Sequence, residues 1–230
     1  MSRLLVVLAC LAAFVAAPAL AQGTPTPGGT AIVILGSDPE HLNAGISTGY
    51  PVGAVGASLY SALVYPAADG AVHGELAEGW TVSDDNLVYT FTLRDAAFHD
   101  GTPVTSADVV FSMESILGPN HGRFQRAFNE MASIEAPDAR TVVITLNRPY
   151  APLLGLLTVF DAPILPKHLY DGTDPLANPV NDAPVGSGPF RFVEWVRGER
   201  VVLERFDGYF LEPALLDRLI YRVVPQDVAR

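Results

Sequence analysis

Apolar positions recur along this chain with two periods, and segments of the two kinds alternate. Leu87, Tyr89, Phe91 and Leu93 fall on one side of an extended segment and Val88, Thr90 and Thr92 on the other, so 87–93 predicts a half-buried strand. The run Thr30-Ala31-Ile32-Val33-Ile34-Leu35 is apolar throughout and predicts a buried strand. Residues 190–196 are rich in aromatic and β-branched side chains. Arg197-Gly198-Glu199 then reads as a turn and 200–206 as a second strand, which makes a hairpin. Further strands are expected at 141–146, after a turn at Pro137-Asp138-Ala139, and at 219–224, where Pro225-Gln226-Asp227 begins a connection. The helical period appears at 52–65, where Leu59, Tyr60, Leu63 and Val64 predict a buried helix. It returns in Val109, Val110, Met113, Ile116 and Leu117, with Thr105 and Asp108 three residues apart as a capping box at the start. An apolar helix is also expected to start at 152–157, and Asp100-Gly101 reads as a tight turn. The fold class is therefore mixed α/β.

The N-terminus changes the picture. Arg3, an apolar core at 4–17 and Ala19-Leu20-Ala21 have the form of a secretory signal peptide at 1–21, with cleavage before Gln22 and a flexible leader to Gly29. The apolar core is short for a bilayer span of about 20 residues. Leu8 stands two before Cys10 where lipidation prefers a small residue, which argues against a lipoprotein. Cys10 is the only cysteine, so a mature exported chain has no disulfide and relies on a hydrophobic core, which the roughly 200 remaining residues can bury. The formal net charge of −11 argues against nucleic acid or an anionic membrane face as partner.

Candidate chemistry is sparse. Ser187 sits in Gly-Ser-Gly, not in the G-x-S-x-G elbow that exposes a nucleophile. His41, His73, His99, His121 and His168 are scattered without a metal-binding pair, and Gly53-Ala54-Val55-Gly56 lacks the Lys-Ser/Thr of a phosphate loop. No cofactor, metal or catalytic residue is expected. An exported hydrolase using Ser187 and His99 is the alternative from another class.

Several stretches, in chain order, resemble the bacterial extracellular solute-binding proteins of the peptide/nickel type that serve ABC importers. The strongest is Pro184-Val185-Gly186-Ser187-Gly188-Pro189-Phe190 followed by Trp195, a hydrophobic strand and Phe206-Asp207-Gly208-Tyr209. Others are Asp38-Pro39 with Leu42-Asn43, Leu76-Ala77-Glu78-Gly79-Trp80, the run from Arg94 through His99-Asp100-Gly101-Thr102-Pro103 to Ser112, and Ile164-Leu165-Pro166-Lys167-His168. From the residues alone, Asp38 is expected to cap the turn before Pro39 and Trp80 to anchor a core.

The resemblance implies a type II periplasmic binding protein-like fold of the large peptide-binding class. Here it implies the first lobe, with a base at 22–48 and 161–230 and a β-rich subdomain inserted at 49–160. The second lobe is expected to be missing, so the chain reads as an N-terminal fragment or truncated product, with exposed apolar surface and a tendency to aggregate. It also implies a periplasmic monomer that captures di- or oligopeptides for an ABC permease in the inner membrane. Nickel chelates, haem, glutathione or oligosaccharides are the alternative ligands. Ligand contacts are expected at Ser47, Thr48, Gly49 and Tyr50, with Asp161 and Pro163 as a second set. Tyr50 is read either as a stacking platform or as an aromatic packed on its own domain.

Overall fold

The computed structural model describes residues 26–225, so the expected signal peptide, the start of the leader and residues 226 and 227 of the closing connection lie outside the described residues. The strands are β1 (Thr30–Leu35), β2 (Val64–Pro66), β3 (Val72–Gly74), β4 (Ala77–Val82), β5 (Val88–Leu93), β6 (Met131–Asp138), β7 (Thr141–Leu146), β8 (Phe190–Val196), β9 (Arg200–Arg205) and β10 (Arg218–Val223). They form two four-stranded sheets, ordered β1-β10-β9-β8 and β4-β5-β7-β6, and a small hairpin of β2 and β3.

The predicted β8–β9 hairpin forms one side of the first sheet. Gly198 takes φ 72° in its turn, a left-handed angle that suits glycine. β10 pairs antiparallel with β9 and parallel with β1. The inner face carries Val201, Leu203, Leu219 and Tyr221, which bury against Val52, Val55 and Leu59 of helix α1 (Tyr50–Leu59). β1 is not fully buried, as its unbroken apolar run suggested. It is an edge strand packed on one face only, leaving Ile32 61 % and Ile34 56 % exposed.

The second sheet shows the alternation read from the sequence. Tyr89, Phe91 and Leu93 are buried, and Tyr89 and Phe91 lie opposite Ile144 and Val142 of β7. Helix α2 (Ser106–Phe111) begins with the expected capping box between Thr105 and Asp108. It continues through a wider, π-type stretch at Ser112–Leu117, where the Ser112 hydroxyl takes the Leu165 backbone N–H at 2.8 Å. The 153–156 segment is a single helical turn. Trp80 is half-buried on β4, its ring 6.1 Å from that of Phe91.

The helix expected over 52–65 stops at Leu59, and the cause is the distant loop at 186–188. The Gly188 N–H donates to the Leu59 carbonyl at 2.9 Å, and the Ser61 hydroxyl donates to the Ser187 carbonyl at 3.0 Å. A Cβ on Gly186 would lie 1.9 Å from the Leu59 oxygen, and one on Gly188 would lie 2.7 Å from the Leu59 carbon. The two glycines are therefore required by the closeness of this loop to the helix end. A continuous apolar run cannot reveal such a stop, because burial on all sides erases the period.

The chain passes from one core to the other between Tyr60 and Leu63, and returns between Ile164 and Leu165. Helix α1, assigned from sequence to the inserted part, packs on the first sheet instead through Val52, Val55 and Leu59. Asn43, Tyr170 and Asn181 form a buried hydrogen-bonded network beneath it, with Asn43 Nδ2 donating to Asn181 Oδ1 at 2.8 Å. Among the described residues no helix is long and apolar enough to cross a membrane.

Candidate functional site

The two loops singled out from the sequence meet where the two cores join. Ser47, Thr48 and Gly49 form a turn whose Gly49 N–H donates to the Ser47 hydroxyl at 3.0 Å. Tyr50 is the first residue of α1 and is 71 % exposed, so its ring is not packed on its own domain. The helix start carries no side-chain cap. On the other side, Asp161 turns its carboxylate to Arg123, whose Nε donates to Oδ1. Pro163 is buried between Ala162 and Ile164 of the second core, and offers a solute no surface.

Arg123 links these loops and was not singled out from the sequence. Besides Asp161, its Nη2 donates to the Phe160 carbonyl at 2.9 Å and its Nη1 reaches the Thr48 carbonyl at 3.4 Å. Planar, forked donors suit one side chain to brace several acceptors. Phe160 was also missed; its ring is 47 % exposed and lies over Gly53 of α1, 3.5 Å from where a Cβ would stand. Two exposed aromatics, Tyr50 and Phe160, thus flank a guanidinium–carboxylate pair. Behind them His121 is fully buried, and burial, the largest influence, holds its pKa below the usual histidine value. The only sequence signal for this group was the polar run Asn120-His121-Gly122-Arg123 between apolar segments.

Beside this rim a small cavity of about 130 Å³ is lined by Ser37, Asp38, Pro39, Glu40, Ser47 and Gly49, among others. Its outer wall is fixed by the β8–β9 hairpin. Asp38 accepts from the Trp195 indole N–H at 3.2 Å rather than only capping its own turn. The Arg197 guanidinium lies 3.4 Å over the Trp195 ring and donates to the Glu40 carbonyl at 2.8 Å and to Asp182 at 2.9 Å. The signature tryptophan therefore holds the loop after β1.

The Ser187/His99 pair does not form a nucleophile and base. The Ser187 hydroxyl is buried and without a partner. Both His99 ring nitrogens are used by backbone: Nδ1 accepts from Gly186 at 3.2 Å and Nε2 donates to the Gly188 carbonyl at 3.0 Å. Burial lowers the His99 pKa to about 4, so the ring is neutral with no lone pair left for Ser187. Among the described residues no three His, Cys, Asp or Glu side chains converge as a metal site.

The family model described as bacterial extracellular solute-binding proteins, family 5 (middle), matches residues 71–230. The chain belongs to this family. A probable D,D-dipeptide-binding periplasmic protein, DdpA of Escherichia coli K12, is 34 % identical over 84 % of this chain and 39 % of its own length. The glutathione-binding protein GsiB of Salmonella typhi is 32 % identical over 84 % of this chain and 37 % of its own. Among solved structures, the oligopeptide-binding protein AppA of Bacillus subtilis, in complex with a nonapeptide, superposes with TM-score 0.81 at 30 % identity, covering 90 % of this chain and 42 % of that one. AgaA of A. tumefaciens R10, in complex with agropinic acid, gives 0.78 at 36 % identity, covering 85 % of this chain and 40 % of that one. The fold is thus that of the type II periplasmic binding proteins of the peptide-binding class. The chain spans about two fifths of the length of these family 5 relatives.

Proposed function

We propose that this chain serves in solute capture by an ABC importer, holding a di- or oligopeptide outside the inner membrane and presenting it to the permease. It acts as an exported, periplasmic monomer and performs no bond chemistry. The observation that carries the reading is the rim at the junction of the two cores, where Tyr50 and Phe160 stand exposed beside the Arg123–Asp161 pair. Exposed aromatics stack on a ligand at little entropic cost, and polar loop atoms set its orientation. Ser47, Thr48, Gly49, Tyr50 and Asp161 are the proposed contacts. Relatives named for dipeptide and oligopeptide binding support the ligand class. The same proposal divides the chain into a base and an inserted subdomain, with boundaries near 61 and 164 where the packed cores change.

Thermal melting against a panel of di- to pentapeptides tests this reading. A peptide at a hundred times its Kd adds about 2.7 kcal/mol to the folded state, which raises Tm by about 5–10 °C for a domain of this size. No rise with any peptide, together with a rise with nickel–histidine, haem, glutathione or an oligosaccharide, would assign a different solute. No rise with any of them would overturn the reading.

A further inference from the structure

We propose that His121 and Arg123 are positioning residues for the Ser47–Gly49 turn, and that a solute resting on this turn completes two hydrogen bonds that the free protein leaves unfinished. The solute part rests on the function proposed above; the positioning part does not.

The first unfinished bond belongs to Arg123. Its Nη2 bond to the Phe160 carbonyl has an ordinary length, 2.9 Å, but its Nη1 bond to the Thr48 carbonyl is stretched to 3.4 Å. The second belongs to His121. Its Nδ1 accepts from the Phe124 N–H at 3.3 Å, so the neutral ring carries its proton on Nε2. That Nε2–H is buried and makes no hydrogen bond of ordinary geometry, and its one neighbouring acceptor is the Ser47 backbone, at a weak contact. A buried donor without a well-formed bond is rare in a folded protein, and here a weak acceptor, the Ser47 backbone, lies on the turn itself.

The two incomplete donors face consecutive residues, Ser47 and Thr48, of one short turn. Both come from the same tetrapeptide, 120–123, at the far side of the seam between the cores. On the Arg123 side the 160–161 loop is already tightly held. The slack is thus confined to the turn. A small inward displacement of that turn finishes both bonds together. Tyr50, the next residue but one after Thr48, is the exposed ring through which a stacked solute would press the turn inward. His121 and Arg123 are thus placed to convert contact at Tyr50 into a fixed spacing between the 47–50 and 160–161 loops. That spacing sets which solutes fit.

NMR of the full chain with trialanine as the probe tests the proposal. In the free protein, Arg123→Lys and His121→Phe are each expected to shift the carbonyl ¹³C resonances of Ser47 and Thr48, with the β7 carbonyls unmoved. Carbonyl shifts at the turn identical to wild type in both variants would overturn the positioning role. On adding trialanine to the wild type, the His121 Nε2–H resonance should move downfield as its bond forms, and each variant should bind about five-fold more weakly, the factor for one ordinary hydrogen bond. The double variant should lose little more than either single one, because both residues hold one turn. Trialanine that binds wild type without moving the ring proton overturns the coupling. Should His121→Phe not fold, the wild-type ring proton and Arg123→Lys decide the matter alone. Absence of trialanine binding, with the turn carbonyls shifted in the variants, would overturn the solute part of the proposal for this peptide and leave the positioning role standing.

Discussion

Glu75 and His99 lie near the glycine loop at 186–188, and burial shifts both toward their neutral forms. Glu75 is 8 % exposed, and burial raises its pKa from 4.5 to about 7 against the opposing bonds from the Ala62 N–H and the Tyr209 hydroxyl. Burial lowers that of His99 from 6.5 to about 4. The signs follow from linkage. A raised carboxyl pKa gives stability that is full below 4.5 and lost as pH climbs to about 7. A lowered histidine pKa gives stability that is lost as pH falls from 6.5 to about 4. Between pH 4.5 and 6.5 the unfolded chain carries one proton on His99 and none on Glu75, and the folded protein the reverse. The proton counts match, so the two slopes cancel. Each alone spans about 3 kcal/mol, at 1.36 kcal/mol per decade of proton affinity. Glu75→Gln removes one member and keeps an oxygen for the Ala62 N–H. Urea denaturation of both proteins at pH 4.5, 5.5, 6.5 and 7.5 then isolates the term, since all other groups drop out of the difference. The variant should gain about 3 kcal/mol relative to wild type as pH rises from 4.5 to 7.5. A difference that does not change with pH would refute the account of Glu75 as a buried neutral acid.

Three further outcomes follow from the packing. Gly186→Ala places a Cβ 1.9 Å from the Leu59 oxygen, a backbone atom that cannot give way as a side chain can, and should lose about 3 kcal/mol or more in urea denaturation. Gly198→Ala, which meets nothing within 4 Å but must hold φ 72°, should lose only about 1 kcal/mol by the same measurement. Asp38→Ala removes the acceptor of the Trp195 indole and should lower stability by about 1 kcal/mol while shifting the tryptophan emission; an unchanged spectrum would count against that bond.

What the sequence showed and what it hid divide along a physical line. Local periodicity announced β5, because its alternating residues face a core on one side, and Gly198 with its flanks announced the hairpin. The Thr105–Asp108 capping box was legible because its three-residue spacing is itself the mechanism. The end of α1 was not legible, since it is set by the loop at 186–188, far away in the sequence. The same holds for the rim. Thr48 and Asp161 were named from family position, whereas Arg123, which joins them, lies in neither loop and has no period to betray it. Pro163, likewise named from family position, is buried among residues of the second core, a placement that no local pattern announces.

The same division explains why the family was readable and the solute was not. The signature residues are occupied in holding the molecule together. Gly186 and Gly188 make room for the Leu59 carbonyl, Trp195 holds Asp38, and Tyr209 donates to the buried Glu75. Each is constrained by a backbone approach or a buried polar partner, so few substitutes fit. Tyr50 and Phe160 meet no such constraint: they are exposed, and their replacement would disturb little of the core. On this argument Tyr50→Ala should leave Tm within about 1 °C of wild type, as exposed substitutions do. It should weaken the binding of any stacking solute by a factor of about five or more, a ring contact contributing roughly 1 kcal/mol. Isothermal titration of the two proteins with the peptide that gives the largest melting shift decides it. Equal affinities would move the recognition surface away from this rim.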